Sequence, residues 1–157
     1  IPVPVIILII VFLLAHYILT QTSYGRSVYA VGGNREAARL SGIRVKTSEF
    51  LVYTLNGLMC GMAGLILTAR LGSAQSTSGT GIEMDAIAAV ILGGTSLSGG
   101  VGFVLPTVVG AMIMGIIDNI LTLMNVNPHA TNIVKGAVIL IAVLVDKKVK
   151  DLSAKAE

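Results

Sequence analysis

Charge is scarce in this sequence. Charged residues make up 12% of 157, 11 Lys and Arg against 8 Asp and Glu, while 54% are apolar and the mean hydropathy is +0.87. Soluble domains carry roughly 45–50% apolar and about 25% charged residues, so the shortage excludes an ordinary solvated surface and makes the bilayer the expected solvent. A single cysteine, Cys60, excludes an intrachain disulfide framework and a Cys-based zinc cluster, and leaves that residue a packing role. The formal charge of +3 does not point to nucleic acid, because the basic residues lie in a few short blocks and form no patch on a soluble face. The first apolar run lacks a charged leading region and a small-residue cleavage site and is long enough to span, so it is expected to be a transmembrane helix, and the chain, without an initiator methionine, is expected to be a fragment.

What is present is a series of long uncharged runs. No charge occurs from Ile1 to Ser23, and the apolar part, at about 1.5 Å per residue, covers roughly 27 Å of a hydrocarbon core about 30 Å thick. Phe50 to Ala69 is a second crossing, with Gly57, Gly61 and Gly64 along one side to admit the backbone of another helix. Met84 to Leu97 is a shorter third segment that runs into a polar glycine stretch, Gly93 to Gly100. Val101 to Met124 is a fourth, interrupted by Pro106, and Thr131 to Val145 a fifth, in which Lys135 is expected to snorkel to the headgroups. The fold class is therefore all-α, a polytopic transmembrane helix bundle of about five membrane segments, treated as a single domain over residues 1–157. Arg26, Arg35, Arg39, Arg44 and Lys46 fall between the first two runs, whereas Leu71 to Glu83 contains no basic residue. The first loop is thus expected inside the cell, and five crossings put the basic tail, Lys147, Lys148, Lys150 and Lys155, inside as well.

The loop from Tyr24 to Glu49 carries a short helix with both ends encoded. Asn34 can cap its first amides, Glu36 sits in the positive first turn, Arg39 lies in the last turn, and Gly42 can take the left-handed closing position. A helix of about two turns is marginal alone and must dock, either on its own bundle or on another protein.

The run from Tyr24 to Ile43, centred on Gly32-Gly33-Asn34-Arg35-Glu36-Ala37-Ala38-Arg39, resembles the cytoplasmic loop of the ribose/xylose/galactose-type permease subunits of bacterial ABC importers. Ala88 to Gly100 and Ile133 to Leu140 are similar to two further segments of that family, in the same order. The resemblance implies a coupling helix that sits in a cleft of an ATP-binding cassette subunit, using Gly33, Asn34, Glu36, Ala37, Ala38, Arg39, Ser41, Gly42 and Ile43. It also implies an extracytoplasmic sugar-binding protein, a homodimer of permease subunits, a bacterial inner-membrane location, and ATP hydrolysis on the separate subunit with none here. Family members are about twice as long, so the N-terminal half of the usual subunit is expected to be missing. Asp118, Ile120 and Pro106 depart from the residues usual in the family.

Several motifs fail on inspection. Leu97-Ser98-Gly99-Gly100 opens like the signature of ABC ATPases, but no Gly-Lys pair exists to hold a phosphate. Ser96 and Ser98 miss the spacing of a nucleophile elbow, and His16 and His129 have no companions, so no catalytic residue, metal or cofactor is expected. Polar residues at membrane depth are the candidate lining of a translocation path: Asn56, Thr95, Ser96, Ser98, Asp118 and Asn119. Their alternative is tight helix-to-helix packing, or for Asp118 a simple reach to water. The rival functions are an ion-coupled carrier or channel using Asp118 or Lys135, against which a lack of buried charge pairs is expected to count, and an inactive truncated permease.

Overall fold

The computed structural model describes residues 2–154 apart from 76 and 78, with the side chains of 128, 129, 145–147 and 149–154 left out of the description. The described residues form seven helices and no strand: α1 (Val3–Gln21), α2 (Ser23–Gly33), α3 (Arg35–Leu40), α4 (Val45–Leu71), α5 (Ile82–Leu92), α6 (Val104–Leu123) and α7 (Pro128–Ala154). The protein is an all-α, multi-pass membrane bundle. By length and composition α1, α4 and α6 can each cross a bilayer, while the apolar part of α7 is Ala130–Leu144. The expected five segments are all helical, but α5 has 11 residues, about 17 Å, roughly half of what a perpendicular crossing needs. It stops at Leu92 and not at Leu97 because Gly93 and Gly94 close it. Nor does Pro106 interrupt the fourth segment: α6 starts at Val104, so the proline lies in the first turn, where its missing N–H costs nothing.

The chain divides into two compact units, Ile1–Thr80 and Gly81–Glu157. In the first, α2 packs on α1 and α4, and α3 rests on α2 and α4. Thr22 makes the bend between α1 and α2: its hydroxyl donates to Ile18 O at 2.6 Å and accepts from the Gly25 N–H at 3.2 Å, closing one helix and opening the next. Gly25 permits the close approach, since a Cβ there would lie 2.2 Å from Leu19 O. An apolar groove of 660 Å³ runs between α1, α2 and α4, lined in part by Leu14, Tyr24, Val28, Leu55 and Met59. A Cβ added at Gly57, Gly61 or Gly64 would meet nothing within 4 Å among the described residues. Their expected close packing has no partner among the described residues.

The second unit is built on α5, which packs against α6 and α7. Ala88, Ala89 and Met114 form its buried centre, with Leu92, Ile117, Val138 and Ile139 against it. Added Cβ atoms at Gly93 and Gly110 would fall 2.6 Å from Thr107 Cα and 2.1 Å from Ala89 O. These contacts set α5 and α6 antiparallel at close range, as small residues do where lipid supplies no hydrophobic force between helices.

Candidate functional site

The helix read in the loop is α3, and its ends are those its sequence specifies. Asn34 Oδ1 accepts from the Ala37 N–H at 3.0 Å, Glu36 stands in the first turn and Arg39 in the last. At the other end the Gly42 N–H donates to Arg39 O at 3.0 Å and the Ile43 N–H to Ala38 O at 3.1 Å, with Gly42 at φ +81°. That is the paired bonding of a Schellman closure, which needs a left-handed residue where glycine stands. Arg35 pairs with Glu49 at 3.0 Å, tying the start of α3 to α4.

Burial divides the residues of this helix. Ala38 is 4% exposed and seats α3 on its neighbours, whereas Leu40 is 87% exposed. Asn34, Glu36, Ala37, Arg39, Ser41 and Gly42 are exposed, Ile43 is half-buried, and Gly33 is the exposed last residue of α2. Beside them a groove of 610 Å³ is lined by Arg35, Glu36, Arg39, Arg44, Val45, Lys46 and Thr47. Sequence reading missed α2, and although Leu40 stands out in the sequence as the one larger apolar side chain between the caps, it was not among the expected docking residues. The cue for α2 was the Thr22-Ser23 pair, a capping position ahead of a proline-free run.

The polar residues at membrane depth are not one constellation. Asn56 is exposed on α4 in the first unit. Ser96 is buried in the turn after α5, where the Ser96 N–H donates to Val101 O at 3.0 Å and Ser96 Oγ accepts from the Ser98 N–H at 3.2 Å. Thr95 is half-buried, donating its N–H to Val90 O as α5 ends in a second Schellman closure at Gly94. Ser98 is exposed, so the glycine stretch folds upon itself as a turn between α5 and α6. Asn119 is exposed and lines a shallow 330 Å³ groove with Met112, Gly115, Ile116 and Ile120.

Asp118 has a different setting. Lys135 Nζ lies 2.9 Å from Asp118 Oδ1 and 2.6 Å from Asp85 Oδ1, so one lysine on α7 joins carboxylates on α6 and α5. Lys135 is 8% exposed. The expected snorkelling is therefore wrong, and so is the expected lack of buried charge pairs. The reason is sequence distance: Asp85 and Asp118 come into reach only when three helices pack. Asp118 does not simply reach water, since its Oδ1 is buried against the ammonium. Asp85 was absent from the expected site, and nothing local to it distinguishes it from a first-turn helix acid.

Among the described residues no group of His, Cys, Asp and Glu could hold a metal ion. His16 lies over Phe12, ring centroids 6.0 Å apart. The side chain of His129 falls outside the described residues, as do those of Lys147 and Lys150 and the whole of Lys155.

A capped amphiphilic loop helix beside long apolar helices is the arrangement on which comparison with known proteins bears. Residues 2–143 match the model of the family described as branched-chain amino acid transport system / permease component. The chain belongs to that family. It is 55% identical over 148 residues to the ribose import permease protein of Escherichia coli K12 and 50% identical over 148 residues to that of Bacillus subtilis 168, in each case covering 94% of this chain and 46% of the relative. The xylose transport system permease protein of Escherichia coli K12 is 48% identical over 150 residues, 96% of this chain and 38% of the relative. The chain thus spans less than half the length of these relatives. No solved structure matches it.

Proposed function

We propose that this chain is part of the membrane-spanning subunit of an ABC importer in a bacterial inner membrane, that it carries a monosaccharide of the ribose or xylose type, and that it performs no chemistry itself. The relatives named for ribose and xylose import support the cargo class. ATP is hydrolysed on a separate cytoplasmic subunit, and an extracytoplasmic binding protein delivers the sugar. Two permease subunits surround the path, and the open Gly57, Gly61 and Gly64 edge of α4 is compatible with a second copy.

The observation that carries this reading is the presentation of Leu40. A helix of six residues, closed at both ends by its own hydrogen bonds and seated through Ala38, holds a large apolar side chain 87% exposed outside the long apolar runs. Exposing it brings nothing to this chain, and it suits a cleft in a partner. The positive charge of the 22–46 loop supports a cytoplasmic position for that helix, and four crossings from α4 to α7, with the short α5 counted as one, return the C-terminus to the same side. The test is co-purification from solubilised membranes. An ATP-binding subunit should be recovered with the native chain and lost with Leu40→Asp, which leaves Ala38 and both caps in place. Equal recovery with Leu40→Asp overturns the docking assignment.

The buried Lys135 pair gives a second reading, an ion-coupled carrier, more footing than the sequence alone did. Uptake stopped by an uncoupler and indifferent to loss of the ATP-binding subunit would select it.

A further inference from the structure

Three charged groups meet inside the second unit, and their sum is not zero. Lys135 supplies one positive charge to Asp85 and Asp118, which leaves a formal charge of −1 among apolar helices. An uncompensated charge in hydrocarbon is expensive, so the open side of this cluster must meet water or a polar partner. The open side is identifiable. The Lys135 side chain is 10% exposed, those of Asp85 and Asp118 are 25% and 35% exposed, and both Oδ1 atoms are buried. The accessible surface of each aspartate thus lies away from the lysine. An ionised carboxylate offers about four acceptor positions over its two oxygens and an ammonium has three donors; here the ammonium stands in ion contact with one oxygen of each aspartate.

We propose that Asp85, Asp118 and Lys135 form a polyol-contacting site on the wall of the translocation path, in which the carboxylate oxygens accept hydrogen bonds from sugar hydroxyls and the ammonium donates to one. This rests on the reading of the chain as a sugar permease. A hydroxyl both donates and accepts, which matches a site with several acceptors and one donor. The surplus negative charge discourages anionic cargo, so the substrate class is a neutral polyhydroxyl compound. The role of Lys135 is to hold the two carboxylates together across three helices while touching only one oxygen of each.

The experiment is uptake of radiolabelled ribose and of its single-deoxy analogues into ATP-energised membrane vesicles carrying the permease, native or Asp118→Asn. The amide keeps the size of the side chain and removes its charge. Loss of a charge-assisted hydrogen bond should raise KM about tenfold or more. For the deoxy analogue lacking the hydroxyl concerned, the native penalty should shrink to near nothing in Asp118→Asn, a coupling that a merely structural role does not produce. Unchanged analogue penalties overturn the proposal. If Asp118→Asn fails to reach the membrane, Asp118→Glu, which keeps the charge and moves the oxygens by one methylene, is read in the same way. Uptake that proves independent of ATP, with the hydroxyl coupling intact, overturns the importer reading and leaves the site standing.

Discussion

Gly110 lies directly against Ala89: a methyl group added to the glycine would stand 2.1 Å from the Ala89 carbonyl oxygen. The carbonyl is backbone inside α5 and cannot turn aside. Gly110→Ala should therefore push α5 from α6 and cost about 1–3 kcal/mol, the usual range for overpacking. Gly115, in the same helix, is the control, because a methyl there meets nothing within 4 Å. Gly115→Ala should be neutral or stabilising by up to about 1 kcal/mol through helix propensity. Thermal unfolding of the detergent-solubilised protein separates the two.

The ends of α3 are worth measurable local stability. Asn34→Ala removes the side-chain bond to the Ala37 N–H and should cost about 1 kcal/mol. Gly42→Ala puts a Cβ on a residue at φ +81° and should cost about the same. Amide exchange over 34–43 should quicken in both variants while exchange within α6 stays unchanged.

Removing Lys135 should be far more damaging than removing the whole cluster. Lys135→Met leaves two carboxylates facing each other without their ammonium and should cost roughly 3–5 kcal/mol. Adding Asp85→Asn and Asp118→Asn to Lys135→Met should restore much of the loss. Melting temperature and membrane yield of the single and triple variants test this.

Tyr24 carries a phenol oxygen that is buried with no hydrogen-bond partner among the described residues. Tyr24→Phe should be neutral or stabilising by up to about 1 kcal/mol near neutral pH, because the hydroxyl is already unsatisfied. Burial pushes the Tyr24 phenol above its ordinary value of 10.0. The unfolded chain then gives up this proton first, so the native protein should lose stability as pH rises beyond 10, and the phenylalanine variant less so. Denaturation at pH 8 and pH 11 checks the sign.

Much of this was legible because it is written locally. The limits of α3 follow from Asn34, Glu36, Arg39 and Gly42, four residues whose side chains or backbone act within one turn of themselves. Uncharged runs locate α1, α4 and α6 because length against bilayer thickness is a property of one segment. Pairing was not legible. Lys135 reads as a snorkelling lysine from its own surroundings, and only the packing of α5, α6 and α7 delivers two carboxylates to it. Ala38 and Leu40 are two positions apart on one helix and differ completely in exposure, a distinction set by where α2 and α4 lie. The bend at Thr22 was hidden because a threonine near the end of an apolar run looks like the end of a helix, and here it is also the start of the next.

Asn34 is shared: its backbone N–H donates to Ala30 O as the last bond of α2, and its side chain opens α3. Between Ser23 and Leu40 no other residue stands outside a helix, so this stretch has no slack in which an extra residue could be taken up. One inserted residue on either side of Asn34 would turn the remainder of α3 by about 100° around the helix axis. Ala38 would then leave its buried seat to Ala37 and Leu40 would point where Ser41 now stands, and related sequences should vary here by substitution and keep their length.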